Sequence, residues 1–320
     1  MTLLSKIYDI QRAQWQAATL EMKRLEEENN RIFIDAYGLQ DELTPEVPLK
    51  EITLTCNPHY RYGGEKTPEE LENLLRADTM KELLSYAVGC MFGRYSLDAP
   101  GLILANQGET LDDYLQQIPD PTFRPCASNV IPILDGDWFS DDVTEQFKVF
   151  LRTAFGTQHY EENQRFIELA LGKSVRDYFV RDFYNDHVKR YKKRPIYWLF
   201  SSPKGSFSAL IYLHRYRPDT ANVVLNNYLR EYIAKLNHKI EEHERIEAQA
   251  DTSPRDKTKA TKEIGKLRKM VKELTDWERD VMHPLGVRKI PLDLDDGVKV
   301  NYAKLGFALK KIPGLEQSEE

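Results

Sequence analysis

Three groupings in the chain carry the letters of a reactive site, and none has the spacing in an element that would let it work. Asp9 with Glu21 and Lys23 matches a D…ExK nuclease pattern. That chemistry needs paired carboxylates and a lysine converging from a sheet, whereas these three fall in a predicted helix. Asp135-Gly136-Asp137 followed by Asp141-Asp142 looks like a calcium loop. An EF-hand requires an oxygen ligand at its fifth position and glycine at its sixth; here those positions are Phe139 and Ser140. A turn leading into a helix N-terminus, where carboxylates are favoured, is the expected structure. His238 and His243 stand five apart and do not share a helix face as an i, i+4 pair would. Spacing assigns no Ser–His–Asp or Cys–His group.

Asn57-Pro58-His59-Tyr60 is a fourth candidate. Enzymes that methylate adenine use Asn/Asp-Pro-Pro-Tyr/Phe, where the polar side chain and a stiffened carbonyl take the amino group and the aromatic stacks on the flipped base. Here His59 replaces the second proline, and no glycine-rich strand–turn for S-adenosylmethionine precedes the motif. The tetrapeptide reads as a turn with a packed Tyr60.

One segment rises above this background. His187–Pro218 holds Lys189, Arg190, Lys192, Lys193, Arg194, Lys204, Arg215 and Arg217 and no acid, so it carries +8 in 32 residues of a chain that totals −6. Seven aromatics are interleaved: Tyr191, Tyr197, Trp198, Phe200, Phe207, Tyr212 and Tyr216. Cations spaced by aromatic and small polar groups suit a nucleic-acid backbone. The eight basic residues are therefore the DNA-binding candidates. The aromatics are expected to be core, with the charges at its rim.

The rest of the composition is that of a folded, charge-rich chain, with 41% hydrophobic and 30% charged residues. The three cysteines, Cys56, Cys90 and Cys126, have no zinc-ribbon spacing, and their sparse odd count suits a reducing cytoplasm. No apolar run approaches the ~20 residues of a membrane helix. The N-terminus lacks a signal-peptide core. A cytoplasmic protein without a membrane partner is expected.

Periodicity divides the chain into a long N-terminal helix (1–38), a helical platform with loop-rich insertions (39–186), a basic-aromatic β element (187–218), an antiparallel coiled-coil hairpin (219–283) and C-terminal strands with a tail (284–320). The fold class is an α-rich α+β. The first helix carries the row Leu4, Ile7, Ile10, Gln14, Ala17, Leu20, and Gly38 is its expected C-cap. Glu51–Cys56 looks strand-like. Thr67-Pro68-Glu69-Glu70 starts a helix to about Leu75, and another runs from Asp78 to Phe92. Residues 97–137 read as loops, and 140–155 as a helix capped by Ser140 or Asp141. One or two more helices fall within 161–186. Pro195–Phe200 and Phe207–His214 read as a β-hairpin or two short paired strands. The two arms meet along Leu225, Leu229, Tyr232, Leu236, Ile240, His243 and Ile264, Leu267, Val271, Leu274, Val281, with a turn at 249–256 and an end at His283-Pro284. Two short strands flank Asp296-Gly297.

KKRPIYWLFSSPKGSFSALIYLHRYRPDT (192–220) closely resembles the C-terminal region of the PglX-type adenine-specific DNA methyltransferases of BREX phage-defence systems, and more loosely the single-chain restriction–methylation enzymes. Segments 30–54, 83–106, 130–143 and 290–306 resemble the same region in order, so the likeness covers essentially the whole chain. It implies a helical platform that follows a target-recognition domain, closes around double-stranded DNA and contacts other BREX proteins. The methyltransferase core and its S-adenosylmethionine site would lie upstream or on a separate chain. No catalytic, cofactor or metal residue carries over to this chain. A stand-alone interaction module or regulator that mimics this region is the alternative.

Overall fold

The computed structural model describes residues 3–249 and 251–315 of the chain. Ala250 in the expected turn and the expected tail beyond 315 lie outside the described residues. The structure is helix-rich with one small antiparallel sheet, an α+β fold. It divides into two units, Met1–Leu84 with Leu151–Val175, and Ser85–Phe150 with Arg176–Glu320.

The first unit is built on the helix Leu4–Tyr37. Its buried face is Leu4, Tyr8, Thr19 and Ile34, not the row read from the sequence, because Ile7, Ile10 and Leu20 are exposed. Tyr8 packs on Phe166 and donates to Glu72, which also takes Arg12 at 2.8 Å. Gly38, in the left-handed region at φ 68°, closes the helix as expected. The strand-like stretch after Glu51 is instead a 3₁₀ turn and loop. Thr67 and Glu70 exchange the two hydrogen bonds of a capping box. The helix they start runs unbroken through Pro68–Met91, so the two helices expected there are one.

The second unit centres on a sheet in the order β1-β3-β2 (β1 Val130–Pro132, β2 Tyr197–Ser201, β3 Ser208–Tyr212), antiparallel throughout. β2 and β3 are the expected hairpin, with Tyr197 opposite Tyr212. β1 and the helix Leu111–Gln117 arise in the stretch read as loop. Pro132 has no N–H for a ladder and stands on an edge strand. Phe92, Tyr302, Tyr232 and Trp277 close on the sheet aromatics at ring separations of 5.0–6.1 Å. Asp142, rather than Ser140 or Asp141, caps the helix Val143–Phe155 by accepting from the N–H groups of Thr144 and Glu145.

Two long helices leave the sheet. The first arm is helical over 220–248 and the return arm over 254–288. Each contains one π-helical turn, Val224–Leu229 and Glu278–Met282. Arg230–Glu278, Glu244–Arg268 and Glu247–Thr261 bonds cross between them, residue numbers rising on one arm as they fall on the other, so the arms lie antiparallel. Leu229, Tyr232, Leu236 and Ile240 of the first arm and Ile264, Leu267 and Leu274 of the second are buried. Ser253 and Pro254 begin the return arm three residues earlier than expected. Pro284 does not end it, because the π turn before it resets the ladder and leaves proline at a helix-start position.

The two C-terminal strands are not formed. Asp293 caps a 3₁₀ turn, Gly297–Leu305 is a helix, and Leu309 bridges to Phe200 at the free edge of β2. The Asp-Gly pair marks a helix start here, not a hairpin turn.

Candidate nucleic-acid interface

The basic segment begins on the helical run 175–190, in which Phe179–Phe183 is π-wound. His187 anchors its end. The imidazole is 3% exposed, lies 4.6–4.7 Å from the Tyr191 and Tyr197 rings, and accepts the Tyr197 N–H at 3.1 Å. Burial pulls its pKa down to about 3, with Arg190 and Arg94 adding to the effect, so the ring is neutral.

The chain then turns sharply. The Lys193 N–H returns to the Val188 carbonyl at 2.9 Å and the Lys192 N–H to the Lys189 carbonyl at 3.0 Å. This is the Schellman closure of a helix, whose penultimate residue is left-handed and usually glycine. Gly38 and Gly93 fill that position in two other helices of the chain, at φ 68° and 75°. Here Lys192 fills it at φ 50°, and Lys193 follows at 63°. Each left-handed residue that is not glycine costs roughly 1–2 kcal/mol. The fold therefore holds two lysines in strained backbone just before buried Pro195 and β2.

Lys189, Arg190, Lys192, Lys193 and Arg194 are exposed together around this turn. Among the described residues, Lys189, Lys192, Lys193 and Arg194 stand in no ion pair. Six of the seven aromatics are core as expected, Tyr197, Trp198, Phe200, Phe207, Tyr212 and Tyr216, whereas Tyr191 is half-buried.

The other three candidates separate from this cluster. Arg217 is exposed and 3.6 Å from Asp219. Lys204 is exposed at the far end of the β2–β3 hairpin, where Glu273 of the return arm takes its backbone N–H. Arg215 does not belong to the surface at all. It is 5% exposed and donates to the carbonyls of Phe92, Cys126 and Ala127. Its charge is spent on backbone acceptors, and a sequence count of cations cannot see that.

The reactive-looking groupings are structural. Asn57 caps the short helix Pro58–Tyr62 and donates to the carbonyls of Leu49 and Ile52. Tyr60, expected to pack, is 45% exposed. Asp137, Asp142 and Glu145 converge on Arg176, which also holds the Leu134 and Gly136 carbonyls. An arginine thus occupies the place of the cation that the acidic run suggested. Glu21 pairs with Arg24, and Lys23 with Glu27. His238 is exposed beside Glu242. Among the described residues no helix is long and apolar enough to cross a membrane, and no group of three or more His, Cys, Asp or Glu could hold a metal.

A second basic surface went unread in the sequence. On the return arm, Arg255, Lys259, Lys262, Lys266 and Lys269 recur at steps of four and three and are all exposed. Its signal is helical periodicity, steps of four and three, whereas the cluster at 189–194 is contiguous in the sequence.

No protein-family model matches the chain. Two curated proteins do. The adenine-specific methyltransferase BrxX of Escherichia coli O9:H4 (strain HS) is 37% identical over 311 residues, which is 92% of this chain and 25% of BrxX. The adenine-specific methyltransferase PglX of Lacticaseibacillus casei (strain Zhang) is 39% identical over 295 residues, 89% of this chain and 22% of PglX. The chain spans about a quarter of the length of these relatives. Identity at this level across nine-tenths of the chain means common descent, and the chain is therefore homologous to a portion of the adenine-specific methyltransferases BrxX and PglX and is related to that family through this portion.

Proposed function

We propose that this chain is a DNA-engaging, non-catalytic C-terminal region of a BREX-type site-specific DNA N6-adenine methyltransferase. The carrying observation is the turn at 188–194, where strained backbone gathers five exposed cations in six residues. Strain of this kind persists where a site requires it. The likeness to two adenine-specific methyltransferases supplies the context. On this reading the partners are double-stranded DNA, the methyltransferase and target-recognition domains, and other BREX components in the cytoplasm. S-adenosylmethionine would bind the methyltransferase core, and this chain would add grip on the duplex. Residues 219–283 serve as an antiparallel coiled-coil hairpin projecting from the sheet.

Lys189, Arg190, Lys192, Lys193 and Arg194 would meet phosphates, with Arg217 at the margin. Such contacts fix position and read no sequence. The test replaces Lys189, Arg190, Lys192 and Lys193 with alanine and measures duplex affinity across a salt series. Each lost phosphate contact lowers the log–log slope by about 1, from a parent affinity on the order of 10–100 µM at physiological salt. An unchanged slope in the folded variant would move the patch to a protein partner. That second reading, an interaction module, is favoured by the exposed Ile7, Ile10 and Leu20 of the N-terminal helix.

A further inference from the structure

We propose that the return arm of the helical hairpin carries a second duplex-DNA backbone contact, formed by Arg255, Lys259, Lys262, Lys266 and Lys269 and continued by Lys204. The proposal rests on the DNA reading above and extends it to a separate surface.

The steps from 255 to 259, 262, 266 and 269 keep all five cations on one helical face. The buried residues Ile264, Leu267 and Leu274 lie on the other side, against the first arm. All five are exposed, and among the described residues none stands in an ion pair. Several exposed helix cations elsewhere in the chain are neutralised along their own helix. Arg24 holds Glu21 and Glu28, Lys235 holds Glu231, and Lys239 holds Glu242. The return arm carries more cations than its own acids can pair: between Arg255 and Lys272 there are eight cations and two carboxylates. One carboxylate, Asp256, is spent on the Ser253 cap. The other, Glu263, lies beside the stripe and, among the described residues, pairs with none of its cations. Of the eight cations Arg268 is neutralised by Glu244 of the first arm, while the five of the stripe remain a local concentration of like charge in a chain of net charge −6.

The stripe does not stop at Lys269. One turn further along the same face stands Glu273, which takes the Lys204 N–H and the Ser206 hydroxyl. Glu273 thereby seats the β2–β3 turn on the arm and leaves the exposed Lys204 as the next cation in line. Lys204 thus belongs to this surface and not to the 189–194 turn.

From Arg255 to Lys269 the helix rises about 21 Å. The same length of B-DNA carries roughly a dozen phosphate charges. A straight row of flexible cations one helical turn apart suits a repeating polyanion better than it suits a single bound anion. Phosphate contacts also need no shaped pocket. Duplex backbone is therefore the occupant to which the charge and its spacing point.

The experiment compares the parent chain with three variants by fluorescence anisotropy on a fixed duplex across a salt series. The stripe variant changes Lys259, Lys262, Lys266 and Lys269 to Gln, which preserves helix propensity. The flank variant changes Lys257 to Gln, off the stripe. The turn variant is the alanine set at 189–193. The stripe variant is expected to lower the slope by about 3–4, and the flank variant to leave it near the parent value. A stripe variant with unchanged slope and unchanged melting overturns the proposal. So does an equal loss per charge in the flank variant, which would mean net charge alone. Polyglutamate competing as well as duplex would assign the row to an acidic protein and also overturn it. If only the turn variant loses slope, this inference fails and the reading above stands. If only the stripe variant does, the stripe holds and the turn is not the DNA contact. A parent without salt-dependent binding removes both.

Discussion

The His187 imidazole takes the backbone N–H of Tyr197 at 3.1 Å and so joins the helix before the basic turn to the strand after it. Because Nε2 is the acceptor, the single proton of the neutral ring lies on Nδ1. Protonating Nε2 would break this bond and place a cation among the rings of Phe183, Tyr191 and Tyr197.

This has a pH signature. The folded pKa is held near about 3 by burial, and the unfolded histidine titrates near 6.5. Above 6.5 both states are neutral and the group contributes no pH dependence. As pH falls below 6.5 the unfolded chain takes up a proton that the folded one refuses, so stability drains until pH approaches the folded value. His187→Gln keeps an acceptor for Tyr197 and removes the titration. Between about pH 6.5 and 4.5 the parent should lose up to about 1.4 kcal/mol per pH unit more than this variant. Melting curves in a pH series measure it, and parallel profiles would acquit His187.

Lys192 offers a test in which stability and binding move in opposite directions. Lys192→Gly relieves a left-handed residue at φ 50°. The gain should be up to about 1 kcal/mol, since glycine also loses more entropy on folding. The same change removes one cation from the turn, and the salt slope of duplex binding should fall by about 1. A raised melting temperature with an unaltered slope would mean that Lys192 makes no phosphate contact.

Gly89 lies inside the helix Pro68–Met91, and a Cβ there would stand 2.3 Å from the Tyr95 ring. That ring is held by stacking on Tyr86 at 5.3 Å, and the chain behind it by the Arg94 N–H bond to the Gly89 carbonyl at 2.8 Å. Gly89→Ala gains helix propensity but must displace the ring. Overpacking of this kind costs about 1–3 kcal/mol, more than the propensity gain of ~1. Denaturant unfolding should show net destabilisation; a stabilised variant would mean that Tyr95 moves freely.

These residues also mark how far the sequence can be read. Thr67 and Gly38 were legible because caps are local chemistry, carried by one side chain or one backbone angle. The β2–β3 pair was legible because its apolar runs are bounded by a serine-proline-glycine turn. β1 was not, since three residues give no period and its partner lies almost eighty positions away. The N-terminal helix was found, but its inward face was misread. Isoleucines and leucines occur around much of its circumference, and the true core row runs through Tyr8 and Thr19. The basic surface was legible as composition only. Exposure at 189–194 followed the charge pattern, while Arg215, identical in type, went inward because the carbonyls that hold it come from positions 92, 126 and 127. No window of local sequence contains that information.

Arg215 therefore separates architecture from binding. Its guanidinium satisfies carbonyls at the end of the helix Pro68–Met91 and in the loop before β1. Arg215→Met would keep much of the volume but leave those acceptors unpaired, at about 1–3 kcal/mol for each that water cannot reach. Arg215→Lys should rescue little, because one ammonium cannot reproduce the planar fork that serves two branches at once. Both variants should melt well below the parent. In the folded population, however, the salt slope of duplex binding should not change, since the charge never faced solvent. A slope lowered by about 1 at full foldedness would return Arg215 to the DNA surface.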